Sequence, residues 1–238
     1  MGKNLIQQAR GKGGPTYRAP SFRYKGEAKH NRLNPEMLEG EVIDLIHCQG
    51  HSAPLAQVTY NNGETCLHIA AEGMKVGDRV HSGPKSEMEP GNTLLLSEIP
   101  DGTAIYNIEG IPGDGGKFVR ASGTVARVIG KYNENVVVQL PSKKRKEFNP
   151  NCRASIGVVA GGGRTEKPFM RAGTRFFKMK AKNKLWPKIG GASQNAVDHP
   201  FGNKRTSRKS KARPMSRNAP PGRKVGMIAA RRTGRKKK

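Results

Sequence analysis

Asp198 and His199, adjacent in the stretch NAVDHPFGNK (195–204), are suited by type to proton transfer. A carboxylate that fixes an imidazole tautomer lets the ring act as a general base. The spacing argues against that use. Sequence neighbours rarely meet in the required geometry, and Ser193, six residues from His199, has nothing to fix its approach as a nucleophile. The other reading is a histidine in a turn restricted by Pro200, hydrogen-bonded to a partner or to its own backbone. His199 is thus a disputed catalytic candidate, and no catalytic residue is assigned.

Cys48-x-x-His51 and Cys66-x-His68 carry the residue types of a zinc site. The second pair is closer together than metal ligands usually are, and nothing in the sequence makes the pairs meet. Cys48, His51, Cys66 and His68 are therefore candidate ligands that are expected to be metal-free. No cofactor is expected, zinc being the one alternative. Cys152 has no histidine near it and reads as a core thiol.

Two glycine-rich stretches invite comparison with phosphate-binding loops. GIPGDGGKF fails the G-x-x-x-x-G-K-[ST] pattern twice: Ile111 stands at the first glycine, and Phe118 replaces the hydroxyl that would hold magnesium. Nucleotide hydrolysis loses a named chemical role with each defect. AGGGRTEKP (160–168) lacks a GxGxxG match. Its glycines would let backbone N–H groups approach a phosphate, with Arg164 and Lys167 supplying charge; the plain alternative is a flexible strand exit.

Charge shows what these residues are set in. The 238-residue chain has a net charge of +26, unevenly spread. Residues 1–32 carry eight Lys or Arg against one acid, 33–112 carry three against twelve, 113–163 nine against three, and 164–238 twenty-four against two. Globular middle segments with cationic extensions fit this pattern better than an enzyme with one basic face. Such extensions repel themselves until a polyanion neutralises them, and RNA or DNA is the expected partner. No apolar run approaches a membrane span, no signal peptide is visible, and three cysteines do not make a disulfide framework. The chain reads as intracellular.

The middle of the chain is a series of short β-type runs. EVIDLIH, LAQVTY, CLHIA, DRVHSG, NTLLLSEI and TAIYNIEG predict a small antiparallel barrel, with a hairpin of Val58–Tyr60 and Thr65–Ile69 around NNGE. GIPGDGGK is a linker or a pinned loop. GTVARVIG, NENVVVQL, KKRKEF and RASIGVVAGGG predict an SH3-like barrel with Val125, Val128, Val136, Val138, Ile156 and Val158 in its core. The expected divisions are a basic N-terminal arm 1–32, a first barrel 33–112, a second barrel 113–163 and a basic tail 164–238. The tail is expected to be extended, with helix only in short pieces around Val225–Arg232.

The N-terminal segment interleaves Tyr17, Phe22 and Tyr24 with Arg18, Arg23 and Lys25. Rings can stack on unpaired bases while cations hold phosphates, or the rings can dock the arm on its own barrel. Trp186 is expected to pack, and Lys182 and Lys184 to meet phosphate. The other candidate RNA contacts are Arg10 and Lys12 in the first arm and Arg164, Lys167, Arg171, Arg175 and Lys180 where the tail begins. Further along come His199, Lys204, Arg205, Arg208 and Lys209, and finally Arg223, Lys224, Arg231 and Arg232.

GGGRTEKPFMRAG (161–173), KNKLWPKIGGASQNAVDHPFGNKR (182–205) and PGRKVGMIAARRTGR (221–235) resemble the signature segments of the universal large-subunit ribosomal proteins of the L-two family, archaeal/eukaryotic type. RGKGGPTYRAPSFRYKG, SAPLA, AAEGMKVGD and GNTLLLSEIPDGT carry the resemblance through nearly the whole chain. The resemblance implies a mainly β protein, an OB-fold barrel followed by an SH3-like barrel, with long extended arms in large-subunit rRNA. It also implies neighbouring ribosomal proteins and the small subunit as partners, no membrane, a cytoplasmic place in the ribosome, and a tail approaching the peptidyl-transferase region. His199 matches a histidine once proposed to aid peptide-bond formation. Cys48 and His51 stand where the family usually has Asp and Arg, Ala196 where many members have Pro, and Asn203-Lys204 interrupts a glycine run. The readings that compete with structural rRNA binding are direct participation in peptide-bond formation through His199 and a basic DNA-binding protein.

Overall fold

The computed structural model describes residues 3–132, 134–202 and 214–231. They fall into two compact units, residues 21–169 and the chain ends, residues 3–20 with 170–231.

The larger unit is built of ten strands: β1 Leu38–Ile46, β2 Leu55–Tyr60, β3 Thr65–Ile69, β4 Arg79–Ser82, β5 Thr93–Leu95, β6 Ala104–Tyr106, β7 Ala126–Tyr132, β8 Asn135–Gln139, β9 Arg145–Phe148 and β10 Arg153–Ile156. Each expected run contains a strand; β1, β7 and β8 alternate at period two as half-buried strands do, whereas β10 is buried along its whole length. In β1, Leu38, Gly40 and Val42 are buried while Glu39 and Glu41 face out. The β2–β3 hairpin closes through Asn61–Glu64: the Gly63 N–H donates to the Tyr60 carbonyl, and the Asn62 side chain accepts from the Glu64 N–H at 2.9 Å. Gly63 adopts φ +81°, which a side chain would oppose.

The strands hydrogen-bond in the order β3-β2-β1-β4-β5-β10-β6-β7-β8-β9. All pairs are antiparallel except the single β4–β5 contact at Ser82 and Thr93. β1 and β7 each carry a register shift, between Val42 and Asp44 and between Val128 and Gly130, the bulges that bend a strand around a barrel. The arrangement is mainly β, an OB-fold barrel followed by an SH3-like barrel. β10 lies between β5 and β6, so the ladder is continuous across residue 112.

Three buried clusters fill this unit. One joins Leu94, Ile105, Val128, Val136, Val138, Phe148 and Ile156; two others lie on opposite sides of β3, around Leu55 and Ile69 and around Val42, Val58 and Tyr60. The expected core is corrected at two positions. Val125 is half-buried because it is out of phase with Val128, and Ala126 takes the inward place. β10 ends at Ile156, and Gly157 at φ +110° redirects the chain, so Val159 is buried and Val158 only partly.

The chain ends hold more regular structure than an extended tail. Helix α1 spans Ile6–Gly11 and helix α2 spans Ala172–Ala181. After Gly173, α2 has neither Gly nor Pro, and Arg175, Lys178, Met179, Lys180 and Ala181 are good helix formers. Lys178 and Lys180 in its last turn complement the helix dipole. Val225–Arg231 is not helical: Met215 pairs with Ile228, and Gly226 and Ala229 have positive φ. Arg232 lies outside the described residues. Leu5, Phe201 and Val225 form a small buried cluster, and the backbone N–H of Lys3 donates to the Val197 carbonyl at 2.9 Å.

Candidate nucleic-acid interface

The described candidate cations are displayed rather than buried. Arg10, Lys12, Arg18, Arg23, Lys25, Arg164, Lys167, Arg171, Arg175, Lys180, Lys184, Arg223 and Arg231 are exposed, and Lys182 and Lys224 half-buried. None of them forms an ion pair with a described carboxylate. Arg164 donates through two guanidinium nitrogens to Ser122 Oγ at 3.3 Å, which fixes the start of the basic segment on the barrel unit. Lys204, Arg205, Arg208, Lys209 and Arg232 lie outside the described residues.

The aromatic residues divide as a mixed arm would. Phe22 is 82% exposed with the Arg23 guanidinium 5.2 Å from its centroid. Tyr24 is half-buried against the first barrel, packed so closely on Gly50 that a Cβ there would lie 3.0 Å from its ring. Tyr17 and Trp186 are half-buried around one cavity with Phe176, Met179 and Leu185. Phe177 and Met170 are exposed, and periodicity did not single them out, because in an expected extended tail no face is defined.

At 195–202 the chain makes a tight turn in which the Asn195 carbonyl accepts from the N–H groups of Asp198 and His199. Pro200 follows, and the Phe201 N–H donates to His199 Nδ1 at 3.0 Å. Asp198 does not orient the ring; its carboxylate lies 3.8 Å from Lys3 Nζ. With Nδ1 accepting, the proton is on Nε2, and burial lowers the pKa of the ring. No Asp–His dyad is assembled. His199 lines a cavity of about 470 Å³ with Lys3, Asn4, Gln194 and Ile189. Sequence reasoning missed Lys3 and Asn4, which are separated from His199 by almost the whole chain.

The zinc candidates are kept apart by strand geometry. On β3, Cys66 faces the Val42–Val58 side, whereas Cys48 packs with Leu55 and Ile69 on the other. The Cys66 thiol donates to Glu64 at 3.3 Å, and burial together with that carboxylate pushes it up to about 12. His68 Nε2 is hydrogen-bonded to the Tyr60 hydroxyl at 3.1 Å, and His51 only turns back to the Cys48 carbonyl through its backbone. Among the described residues no group of three or more His, Cys, Asp and Glu is placed to hold a metal ion. Cys152 is buried in the second barrel.

The GIPGDGGK segment is a pinned loop whose N–H groups are occupied by the chain's own carboxylates. Asp114 accepts from Gly110, Ile111 and Gly116, and Glu109 from Gly113 and Gly115. An anion would have to displace them. Arg120 donates to the carbonyls of Gly116 and Ala28 and ties the loop to the segment before β1.

Candidate cations exposed without described carboxylate partners, with exposed rings beside them on a double-barrel scaffold, are the features of a basic nucleic-acid-binding protein. Two family models match it: "Ribosomal Proteins L2, RNA binding N-terminal domain" over residues 3–82 and "Ribosomal Proteins L2, C-terminal domain" over residues 89–219. The chain belongs to the L2 family of ribosomal proteins. Similar proteins named "Large ribosomal subunit protein uL2" include that of Archaeoglobus fulgidus, 53% identical over 98% of this chain and 99% of the relative. That of Methanocella arvoryzae is 52% identical over 98% and 99%, and that of Halorubrum lacusprofundi 49% identical over 99% and 98%.

Proposed function

We propose that this chain is a structural constituent of the large ribosomal subunit that binds and stabilises large-subunit rRNA, in the cytoplasm as part of the ribosome. The display of the candidate cations without described carboxylate partners carries the reading: they would be costly to gather unless phosphates neutralised them. The relatives' shared name supports it. Residues 1–32 and 164–238 are the rRNA-holding segments, with the acidic first barrel directed away from phosphate. Neighbouring ribosomal proteins and the small subunit complete the partners, and the tail reaches toward the peptidyl-transferase region, as the family resemblance implies. His199 acts as a structural contact rather than a proton carrier, because its Nδ1 is committed to the Phe201 N–H.

The test is binding of the full chain to large-subunit rRNA across a salt series. With about eight phosphates neutralised, log K should fall with log salt at a slope near −6, and joint replacement of Arg171, Arg175, Lys182 and Lys184 by Gln should reduce that slope by about 3. An unchanged slope would remove these residues from the interface. Equal affinity for duplex DNA at matched salt would favour the DNA-binding alternative instead.

A further inference from the structure

The cavity that His199 lines combines three kinds of wall. Leu185, Pro187 and Ile189 give it an apolar side, and Ile189 is 63% exposed among the described residues. Arg10 and Lys188 are exposed cations along its margin, and Lys3 lies there 3.8 Å from the Asp198 carboxylate, which also lines the cavity. Polar edges come from His199 and from the amides Asn4 and Gln194. Their hydrogen bonds are partly committed: Gln194 donates its amide nitrogen to the Ile189 carbonyl at 3.1 Å, leaving its side-chain oxygen as an acceptor, and His199 keeps Nε2–H as a donor.

A phosphate would use the cations and leave the apolar wall idle. An aliphatic side chain would cover that wall and leave the donor and acceptor unmatched. A nucleobase uses all three, because it has an apolar face, an edge that both donates and accepts, and a phosphate attached at a short distance. The volume, about 470 Å³, falls within the roughly 300–1,000 Å³ of small-ligand pockets. RNA loops and bulges present such bases splayed out of the stack.

We propose that this cavity seats one unpaired nucleotide of large-subunit rRNA, its base against Leu185, Pro187 and Ile189, its edge on His199 and Gln194, and its phosphate toward Arg10 and Lys188, on the margin away from the Lys3–Asp198 pair. The proposal rests on the rRNA-binding reading above. His199 is then a specificity-determining contact, and Gly191 a positioning residue, because any Cβ at 191 would collide with the imidazole.

The experiment is ultraviolet crosslinking of the full chain to large-subunit rRNA, followed by mass spectrometry of peptide–nucleotide adducts. Adducts from residues 185–199 should map to a single nucleotide that is unpaired in the free rRNA. Ile189→Ser, at an exposed position that does not threaten folding, should reduce those adducts about five- to tenfold through loss of apolar contact with the base, while adducts from α2 persist. Lys184→Gln, outside the cavity, should weaken total binding without changing the ratio of the two. Adducts at 185–199 that spread over paired nucleotides, that are absent while α2 adducts persist, or that ignore Ile189→Ser would overturn the site and leave rRNA binding standing. Absence of adducts from every segment would defeat the rRNA-binding reading itself, and this site with it.

Discussion

Arg153 Nη2 donates to Glu109 Oε1 at 2.8 Å in a place where both side chains are almost wholly out of water, 5% and 0% exposed. The carboxylate also accepts from the backbone N–H groups of Gly113, Gly115 and Arg153. Breaking a buried pair leaves an uncompensated charge, so Arg153→Met should lower stability by about 3–5 kcal/mol. Replacing both partners by apolar residues is often neutral elsewhere. Here Glu109→Leu with Arg153→Met should stay destabilised, because the loop N–H groups lose their acceptor. Urea unfolding of the full chain checks both variants, and recovery to wild-type stability in the double variant would contradict the loop's dependence on Glu109.

His30 and His68 set an acid limit on the barrel unit. Both are buried with ring centroids 6.0 Å apart, His30 donating Nε2–H to the Asn107 carbonyl at 2.7 Å. Burial first, then Arg153 for His30 and the neighbouring imidazole for His68, push each down to about 3 from 6.5. The folded pKa lies below the unfolded one, so their stabilising effect is complete above about 6.5 and is lost progressively as pH falls toward the folded value. Each histidine adds a slope of up to about 1.4 kcal/mol per pH unit in that window. Urea unfolding between pH 7.5 and 5 should show the decline before most carboxylates titrate. His68→Gln, neutral throughout and still able to bond Tyr60, should remove about half the slope.

For His199 the discriminating variant is His199→Gln, whose oxygen can accept from the Phe201 N–H and whose nitrogen can donate. His199→Ala strands that N–H at a cost of about 1–3 kcal/mol and should impair assembly into particles. In purified, fully occupied ribosomes carrying His199→Gln, the single-turnover rate of peptide-bond formation should stay near normal. A proton-transfer role would slow it by about two to four orders of magnitude.

The cysteine and histidine pairs yield a simple thermal test. With Cys48 and Cys66 on opposite sides of β3, zinc has no shared site, and a strong chelator should leave the melting temperature of purified protein unchanged. One zinc per chain, released by Cys48→Ser, would reverse that assignment.

The strands were legible because Val42, Val58, Val128 and Val138 sit at period two between turn residues, a pattern that burial on one face imposes locally; the start of β1 at Leu38, ahead of the expected run, was not. Nor were the phase of Val125 and the fate of Val158: Val125 precedes the first residue of β7, and the conformation of Gly157 decides whether Val158 or Val159 turns inward. α2 escaped notice because net charge dominates the tail's composition while helix propensity acts residue by residue. Glu109 and Arg153 are 44 residues apart, and nothing near either one announces the other. In the candidate site, cation types and the Pro200 turn were readable. The use of His199 Nδ1 and the approach of Lys3 to Asp198 depend on chain segments that only the fold brings together.

The position of β10 has a consequence for how the chain is made. Ala154 pairs with Leu94, and Ile156 with Ile105, so β5 and β6 have no common neighbour until some fifty to sixty more residues have been synthesised. Pairings this distant carry a loop-closure cost that slows folding. During translation β1 to β4 can pair as they emerge, whereas Leu94 and Ile105 wait with open strand edges beside them. A nascent chain stalled before residue 150 therefore presents unfinished edges to solvent, and release of residues 153–156 is the event that closes them.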